Sequence, residues 1–163
     1  RLLGDNSDWV GFTESLRPLL RPDIQHALVL GTGGASRAVI VALRHLGISP
    51  TYVSRHAKSE GVKVGGQSVS VLTYDELTPE VMKSHLLIIN TTPMGMYPLV
   101  QAAPQIPYAQ LTSAHILYDL VYNPLQTQFM QLGLAQGAVV KNGLEMLHLQ
   151  AEAAWQTWQN LAL

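Results

Sequence analysis

Cysteine is missing from all 163 residues, so disulfides, thiolate nucleophiles and thiolate-held metals are excluded. Charge is scarce as well. Acidic and basic side chains make up 13% of the chain and cancel to a net −1 at pH 7, leaving no basic surplus for nucleic acid and no charge block that would form a tail. No apolar run reaches the roughly 18 residues of a bilayer-spanning helix, and no secretory leader is expected. The six histidines (His26, His45, His56, His85, His115 and His148) are scattered along the chain, so no metal site is expected. What remains is apolar: 47% of the residues are hydrophobic, enough for a real core in a chain that fits one ordinary domain. So little charge suits a domain that shelters part of its surface behind a neighbour.

The most informative stretch is an apolar run, 27–30, that ends in Gly31-Thr32-Gly33-Gly34-Ala35 and passes at once into a helical pattern over 35–46. This is how a parallel strand hands the chain to a helix through a tight turn. The glycines let a ligand approach the backbone, and the helix start favours an anion such as phosphate. Gly47 is placed to stop that helix. A second strand, 51–54, follows at βαβ spacing and leads into Arg55 and Lys58, with no acid before Glu60. At this point of a dinucleotide fold an acid selects the ribose 2′-hydroxyl of NAD and a base accommodates the 2′-phosphate of NADP, so the residues favour NADP.

Residues 59–66 are irregular, with a short extra strand near Val64. A third strand is expected over 68–72, joined to the second by a reduced or missing crossover helix. Helical turns over 74–84 break at Pro79. The run 86–89 reads as a strand buried on both faces and ends in Asn90-Thr91-Thr92, small polar residues where open α/β sheets bind ligands. Residues 98–111, with three prolines, form a surface loop and a candidate mobile flap. A strand over 115–124 that ends in polar residues, a helix over 125–134, a short strand over 138–140, a turn at Asn142-Gly143 and a long helix over 144–161 complete the chain. Before the first strand, Ser7 or Asp8 is expected to cap a helix running through Phe12 and Leu16. The class is α/β, a doubly wound parallel six-stranded sheet in a single domain.

These motifs together resemble one family, the shikimate 5-dehydrogenases, NADP-dependent enzymes of aromatic amino-acid biosynthesis with a Rossmann-like cofactor domain. The likeness runs nearly end to end. Gly4-Asp5-Asn6-Ser7-Asp8-Trp9-Val10-Gly11 is similar to the family's Gly-x-Asn-Thr-Asp-x-x-Gly, with Ser for Thr, and Gly31 to Ala35 to its Gly-x-Gly-Gly-Ala loop. Ser54-Arg55-His56 stands where Asn-Arg-Thr is usual. Asn90-Thr91-Thr92-Pro93-Met94-Gly95, Tyr118-Asp119-Leu120-Val121-Tyr122-Asn123-Pro124 and Asn142-Gly143-Leu144-Glu145-Met146-Leu147-His148-Leu149-Gln150-Ala151 match family motifs nearly verbatim.

The resemblance implies roles. Asp8 would be the acidic half of a catalytic Lys–Asp pair, with Ser7, Tyr122 and Gln150 also at the substrate. Gly31, Gly33, Gly34 and Ala35 would hold the pyrophosphate, and Ser54, Arg55 and Lys58 the adenosine 2′-phosphate end. Lys58 stands in for a second arginine that many members keep where this chain has Ser59. Asn90, Thr91 and Thr92 would line the cofactor cleft, and Leu120, Gly143 and Met146 would meet the nicotinamide. The chemistry would be hydride transfer between NADP(H) and 3-dehydroshikimate or shikimate, in a cytoplasmic enzyme.

The family's N-terminal domain, with a Ser-x-Ser substrate motif and the catalytic lysine, has no counterpart here. Residues 1–26 therefore read as an interdomain connector and entry segment, and 27–163 as the NADP-binding domain, whose last helix would pack toward the substrate domain. Such a chain is expected to bind NADP(H) without turnover. Two other readings compete. An NAD-using quinate/shikimate dehydrogenase is opposed by Arg55, and a non-catalytic interaction module by the polar clusters at three strand ends.

Overall fold

The computed structural model describes the backbone of residues 2–162 and the side chains of residues 9–162. The chain runs α1 (Leu2–Leu16), a 3-10 turn (Arg17–Leu19), β1 (His26–Leu30), α2 (Gly34–His45), β2 (Ser49–Ser54), β3 (Val62–Val64), β4 (Gln67–Val69), β5 (Val71–Thr73), a 3-10 turn (Tyr74–Glu76), α3 (Pro79–Ser84), β6 (Leu87–Asn90), a 3-10 turn (Tyr108–Gln110), β7 (Ile116–Asp119), α4 (Gln128–Ala135), β8 (Val139–Lys141) and α5 (Leu144–Ala162). Six strands form one parallel sheet in the order β5-β2-β1-β6-β7-β8, as the sequence pattern anticipates.

Strands that are apolar at every position need cover on both faces, and the sheet divides them by alternation. Ala27, Val29, Tyr52, Leu87, Ile89 and Tyr118 point to one side, against Phe12 and Leu16 of α1 and Val39, Ile40 and Leu43 of α2. Leu28, Leu30, Val53, Ile88 and Leu117 point to the other, against Met82 of α3, Phe129 of α4 and Ile106 and Leu111 of the loop before β7. Two buried hydroxyl pairs tie helices to the sheet on the first side. Ser15 of α1 meets the Tyr118 hydroxyl at 2.5 Å, and Ser36 of α2 meets Tyr52 at 2.9 Å. Burial pushes the Tyr118 phenol up to about 12. α5 lies along α1, and the crossing is close: a Cβ on Gly11 would sit 2.7 Å from the Gln150 Cγ and 2.8 Å from the Met146 carbonyl.

Four expectations need correction. The strand expected over 68–72 is two strands. β4 pairs antiparallel with β3 in a separate hairpin, and the chain then steps at Ser70 into β5, which pairs with β2. The hairpin replaces the crossover helix. Its turn is Gly65-Gly66, both at left-handed φ (61° and 81°), as a tight two-residue hairpin turn requires. Second, α1 already begins at Leu2, so Ser7 and Asp8 lie inside it and not at its cap; their side chains lie outside the described residues. Third, the segment 98–111 is not a surface loop throughout: Pro104, Ile106 and Leu111 are buried, which pins its second half, and the longest unbroken exposure is at 98–101. Fourth, two of the scattered histidines meet: the rings of His26 and His85 lie 5.4 Å apart.

Candidate functional site

The carboxyl ends of β1, β2, β6 and β7 all open at one edge of the sheet. After β1 the chain turns at Gly31, whose φ of +94° excludes most side chains. A Cβ there would also lie 2.8 Å from Thr92 Cγ2 and 3.1 Å from Thr91 Oγ1. The turn is fastened on both sides, since the Gly31 N–H donates to the Val53 carbonyl (3.0 Å) and Thr91 Oγ1 to the Leu30 carbonyl (2.6 Å). α2 then starts at Gly34 with Gly33 as N-cap, and no side chain caps it. Gly33 and Gly34 both have φ in the ordinary range, and a Cβ at either would meet no atom within 4 Å. Neither backbone φ nor any steric contact among the described residues requires those two glycines. They keep clear the space in front of a 12-residue helix whose N–H groups and dipole attract an anion.

A cleft of about 520 Å³ runs from this turn to the end of β2. Gly31, Thr32 and Gly33 form one wall, Ser54, Arg55, His56 and Lys58 the other, and Thr91 to Met94 the floor; among the described residues no acidic side chain lines it. Tyr74 stands at its outer side. Burial raises the pKa of that phenol and the nearby Arg55 charge opposes the rise. A second cleft, about 420 Å³, adjoins the first and shares Thr91, Thr92 and Pro93 with it. It is framed by Ala35, Leu120, Val121, Tyr122 and Asn123, and by Met96 and Tyr97 across from them. The two together make one trough across the sheet edge, basic at one end and apolar at the other. A cavity of about 570 Å³ lies elsewhere, against the amino-terminal end of β2. Its glycine, Gly47, closes α2 and opens no helix, and its Arg44 already donates to the Val64 and Gln67 carbonyls.

Behind the trough lies a buried polar chain. Asn90 and Asp119 end adjacent strands at the same register, and both are fully buried, as is Thr127. Asn90 Nδ2 donates to Asp119 Oδ1 (3.0 Å) and to the Met94 carbonyl (3.3 Å). Asn90 Oδ1 accepts from Thr92 N (3.0 Å) and Thr92 Oγ1 (2.6 Å). Asp119 Oδ1 also accepts from Val121 N (3.0 Å), and Asp119 Oδ2 from Thr127 Oγ1 (2.6 Å). Burial pushes the Asp119 carboxyl above the usual aspartate range, against the bonds from Thr127, Val121 and Asn90 that favour its ionised form.

The residues singled out from sequence distribute as follows. Gly31, Gly33, Ser54, Arg55, Lys58, Thr91 and Thr92 line the basic cleft, and Ala35, Leu120 and Tyr122 join Thr91 and Thr92 in the apolar one. Gly34 opens α2 between them. Asn90 sits behind the floor and shapes it without lining it. Gly143 and Met146 line neither cleft. A Cβ on Gly143 would collide with the Leu120 carbonyl oxygen, so this glycine lets the start of α5 press against the Leu120 segment from behind, and Met146, like Leu120, packs against the core. Gln150 lies on α5 against Gly11. Sequence reasoning assigned no role to Asp119, Thr127, Tyr74 or Tyr97. The signal for Asp119 was legible: a carboxylate ending the apolar run Ile116-Leu117-Tyr118, level with Asn90.

No family model matches the chain. Among curated proteins, the shikimate dehydrogenase (NADP(+)) of Crocosphaera subtropica is 38% identical over 95% of this chain, which spans 57% of that relative's length. Among solved structures, shikimate dehydrogenase from Aquifex aeolicus superposes with a TM-score of 0.79 at 30% identity, covering 94% of this chain and 56% of that one. Shikimate 5-dehydrogenase from Thermus thermophilus, solved in complex with NADP(H) and shikimate, gives 0.76 at 31% identity, covering 94% and 56%.

Proposed function

We propose that this chain, similar along nearly its whole length to just over half of the shikimate dehydrogenases, is the NADP-binding part of such an oxidoreductase and supplies one side of its active site. The observation that carries this reading is the trough: an uncapped helix start kept open by Gly33 and Gly34, joined to a wall of Arg55, His56 and Lys58 with no acid opposite among the described residues. The residues fit the group. Arg55 presents two parallel N–H donors to a phosphate and a plane to a purine, Lys58 adds a mobile cation, and Ser54 a hydroxyl. Gly31 to Ala35 hold the pyrophosphate, Thr91 and Thr92 line the middle of the trough, and Leu120 and Tyr122 flank the ring end, with Gly143 and Met146 supporting Leu120. NADPH, when bound, would donate a hydride to 3-dehydroshikimate, and NADP+ would accept one from shikimate in the reverse direction.

The protein's own contribution is position and exclusion of water. Within this reading Tyr122 and Gln150 reach the substrate. Asp8 and Ser7, whose side chains lie outside the described residues, orient its hydroxyls, and Asp8 pairs with a lysine of the family's substrate domain to move a proton. Residues 1–26 act as the connector to that domain and 27–163 as the cofactor domain. Trp155, Trp158 and Leu161, exposed on α5, are the surface that turns toward it. The enzyme is cytoplasmic, and no described helix is long and apolar enough to cross a membrane.

Titration calorimetry tests the cofactor reading. NADP(H) should bind at least about 30-fold more tightly than NAD(H), and Arg55→Ala should erase most of that gap, as loss of about 2 kcal/mol of charged hydrogen bonding would do. Equal affinity for the two nucleotides overturns it. A shikimate oxidation assay tests the half-site: the 163-residue chain alone should not turn over, and a rate like that of a two-domain enzyme refutes it.

A further inference from the structure

We infer that Asp119 is a positioning residue that sets the apolar half of the trough, by holding the Leu120–Val121–Tyr122 segment in register with Thr92. This rests on the cofactor reading above. The geometry is specific. Asp119 Oδ1 takes one N–H from the segment itself (Val121 N, 3.0 Å) and one from Asn90 (3.0 Å), and the other end of the Asn90 amide holds Thr92 by both its N–H and its hydroxyl. One carboxylate oxygen thus links the two loops that face each other across the ring end of the trough. The second oxygen takes Thr127 Oγ1, whose lone pair in turn caps α4 through Met130 N.

Each partner has its hydrogen-bonding capacity assigned. Both amide protons of Asn90 are used, at Asp119 and at Met94, so its oxygen must face Thr92. Three donors converge on Asp119 and nothing there accepts a proton from it, so the site calls for a group that only accepts. A packing role alone would be met more cheaply by an apolar side chain at the end of this strand, because a buried carboxylate is costly to desolvate. What the carboxylate adds is a fixed distance between two cleft loops that share no other side-chain bond among the described residues. The basic half does not depend on it. Gly31 and Thr91 are fastened separately, to Val53 and Leu30.

Two probes separate the halves: NADPH, which fills the whole trough, and 2′,5′-ADP, which reaches only the basic cleft. In the wild type NADPH should bind more tightly than 2′,5′-ADP. Asp119→Leu, close in shape to aspartate, removes both accepting oxygens and leaves Val121 N and Asn90 Nδ2 without an acceptor. It should bring the NADPH advantage down about tenfold or to parity while leaving 2′,5′-ADP binding within about twofold. Thr127→Val, which removes the bond to Asp119 Oδ2 and the cap of α4 but leaves the bridge through Asp119 Oδ1, should leave both affinities within about twofold. Hydrogen exchange on the wild-type chain gives a reading that needs no variant: the Val121 amide should be as protected as the Leu120 amide, which donates to the Asn90 carbonyl.

An equal loss for both probes in Asp119→Leu means general loosening and overturns the positioning role. So does an unchanged NADPH advantage, or a Val121 amide that exchanges as an unbonded loop amide. A wild-type chain that binds 2′,5′-ADP but shows no NADPH advantage overturns this inference alone. A wild-type chain that binds neither overturns the cofactor reading and this inference with it.

Discussion

At the scale of single residues, two glycines of the resemblance motifs serve opposite ends. Gly33 has open space where its side chain would be, and Gly143 has the Leu120 carbonyl oxygen in that place. Gly33→Ala should leave the melting temperature unchanged or raise stability by up to about 1 kcal/mol through the unfolded chain, yet weaken NADP(H) binding about tenfold or more by filling the phosphate approach. Gly143→Ala should cost about 3 kcal/mol or more, because backbone must move to admit one methyl. Thermal unfolding paired with calorimetry separates the two, and a Gly33→Ala chain that binds NADP(H) normally would show that no ligand uses that space.

Asp119 gives a residue-scale pH prediction. Its raised pKa means that the native state holds this proton more tightly than the unfolded chain does. The stability so gained is fully present below the ordinary aspartate pKa of about 3.9 and is lost as pH rises through the higher native value. The stability of the wild type relative to Asp119→Asn, measured by denaturant unfolding, should therefore shrink as pH rises across that window. A difference that grows would mean the bonds to the carboxylate outweigh its burial.

At the scale of elements, what the sequence made legible was periodicity, and what it hid was local geometry. The apolar runs of β1, β6 and β7 and the glycine stop after α2 could be read because each reflects burial or a backbone requirement carried by the residues themselves. The split at Ser70 could not. Ser68, Val69, Ser70, Val71 and Leu72 alternate well enough for one strand, and only the pull of Gly65-Gly66 into a tight turn detaches the first half into the hairpin. The pinning of 103–111 was hidden for a similar reason. Pro104, Ile106 and Leu111 look like loop punctuation until Ile106 and Leu111 are seen against Met82 and Phe129. Within the trough, the cationic wall was legible because charge type alone decides it. The indirect roles of Gly143 and Met146 were not, since supporting a lining residue and lining the cleft leave the same mark on a sequence. Gly11 gives the element-scale prediction. Gly11→Ala should cost about 1–3 kcal/mol by forcing α1 and α5 apart, seen as a lower melting temperature, and an unchanged one would mean the helices slide freely.

At the scale of the whole molecule, the trough draws on four strands and the start of α2, so occupying it couples elements from across the sheet to one ligand. NADP(H) at about 100 times its dissociation constant should add about 2.7 kcal/mol. In a domain of this size that raises the melting temperature by roughly 5–10 °C, where NAD(H) at the same concentration should add far less. Equal shifts would point to a trough that ignores the 2′-phosphate.

The chain holds three tryptophans. Trp9 is half-buried beside the His45 ring. The other two, Trp155 and Trp158, stack with centroids 5.7 Å apart on the outer face of α5 and are 55% and 62% exposed. Intrinsic emission from this protein is therefore dominated by a pair of wet indoles far from the core. It will report poorly on unfolding of the sheet. It will report well on anything that dries α5, so a blue shift on mixing with a partner preparation is an optical docking signal that needs no added label.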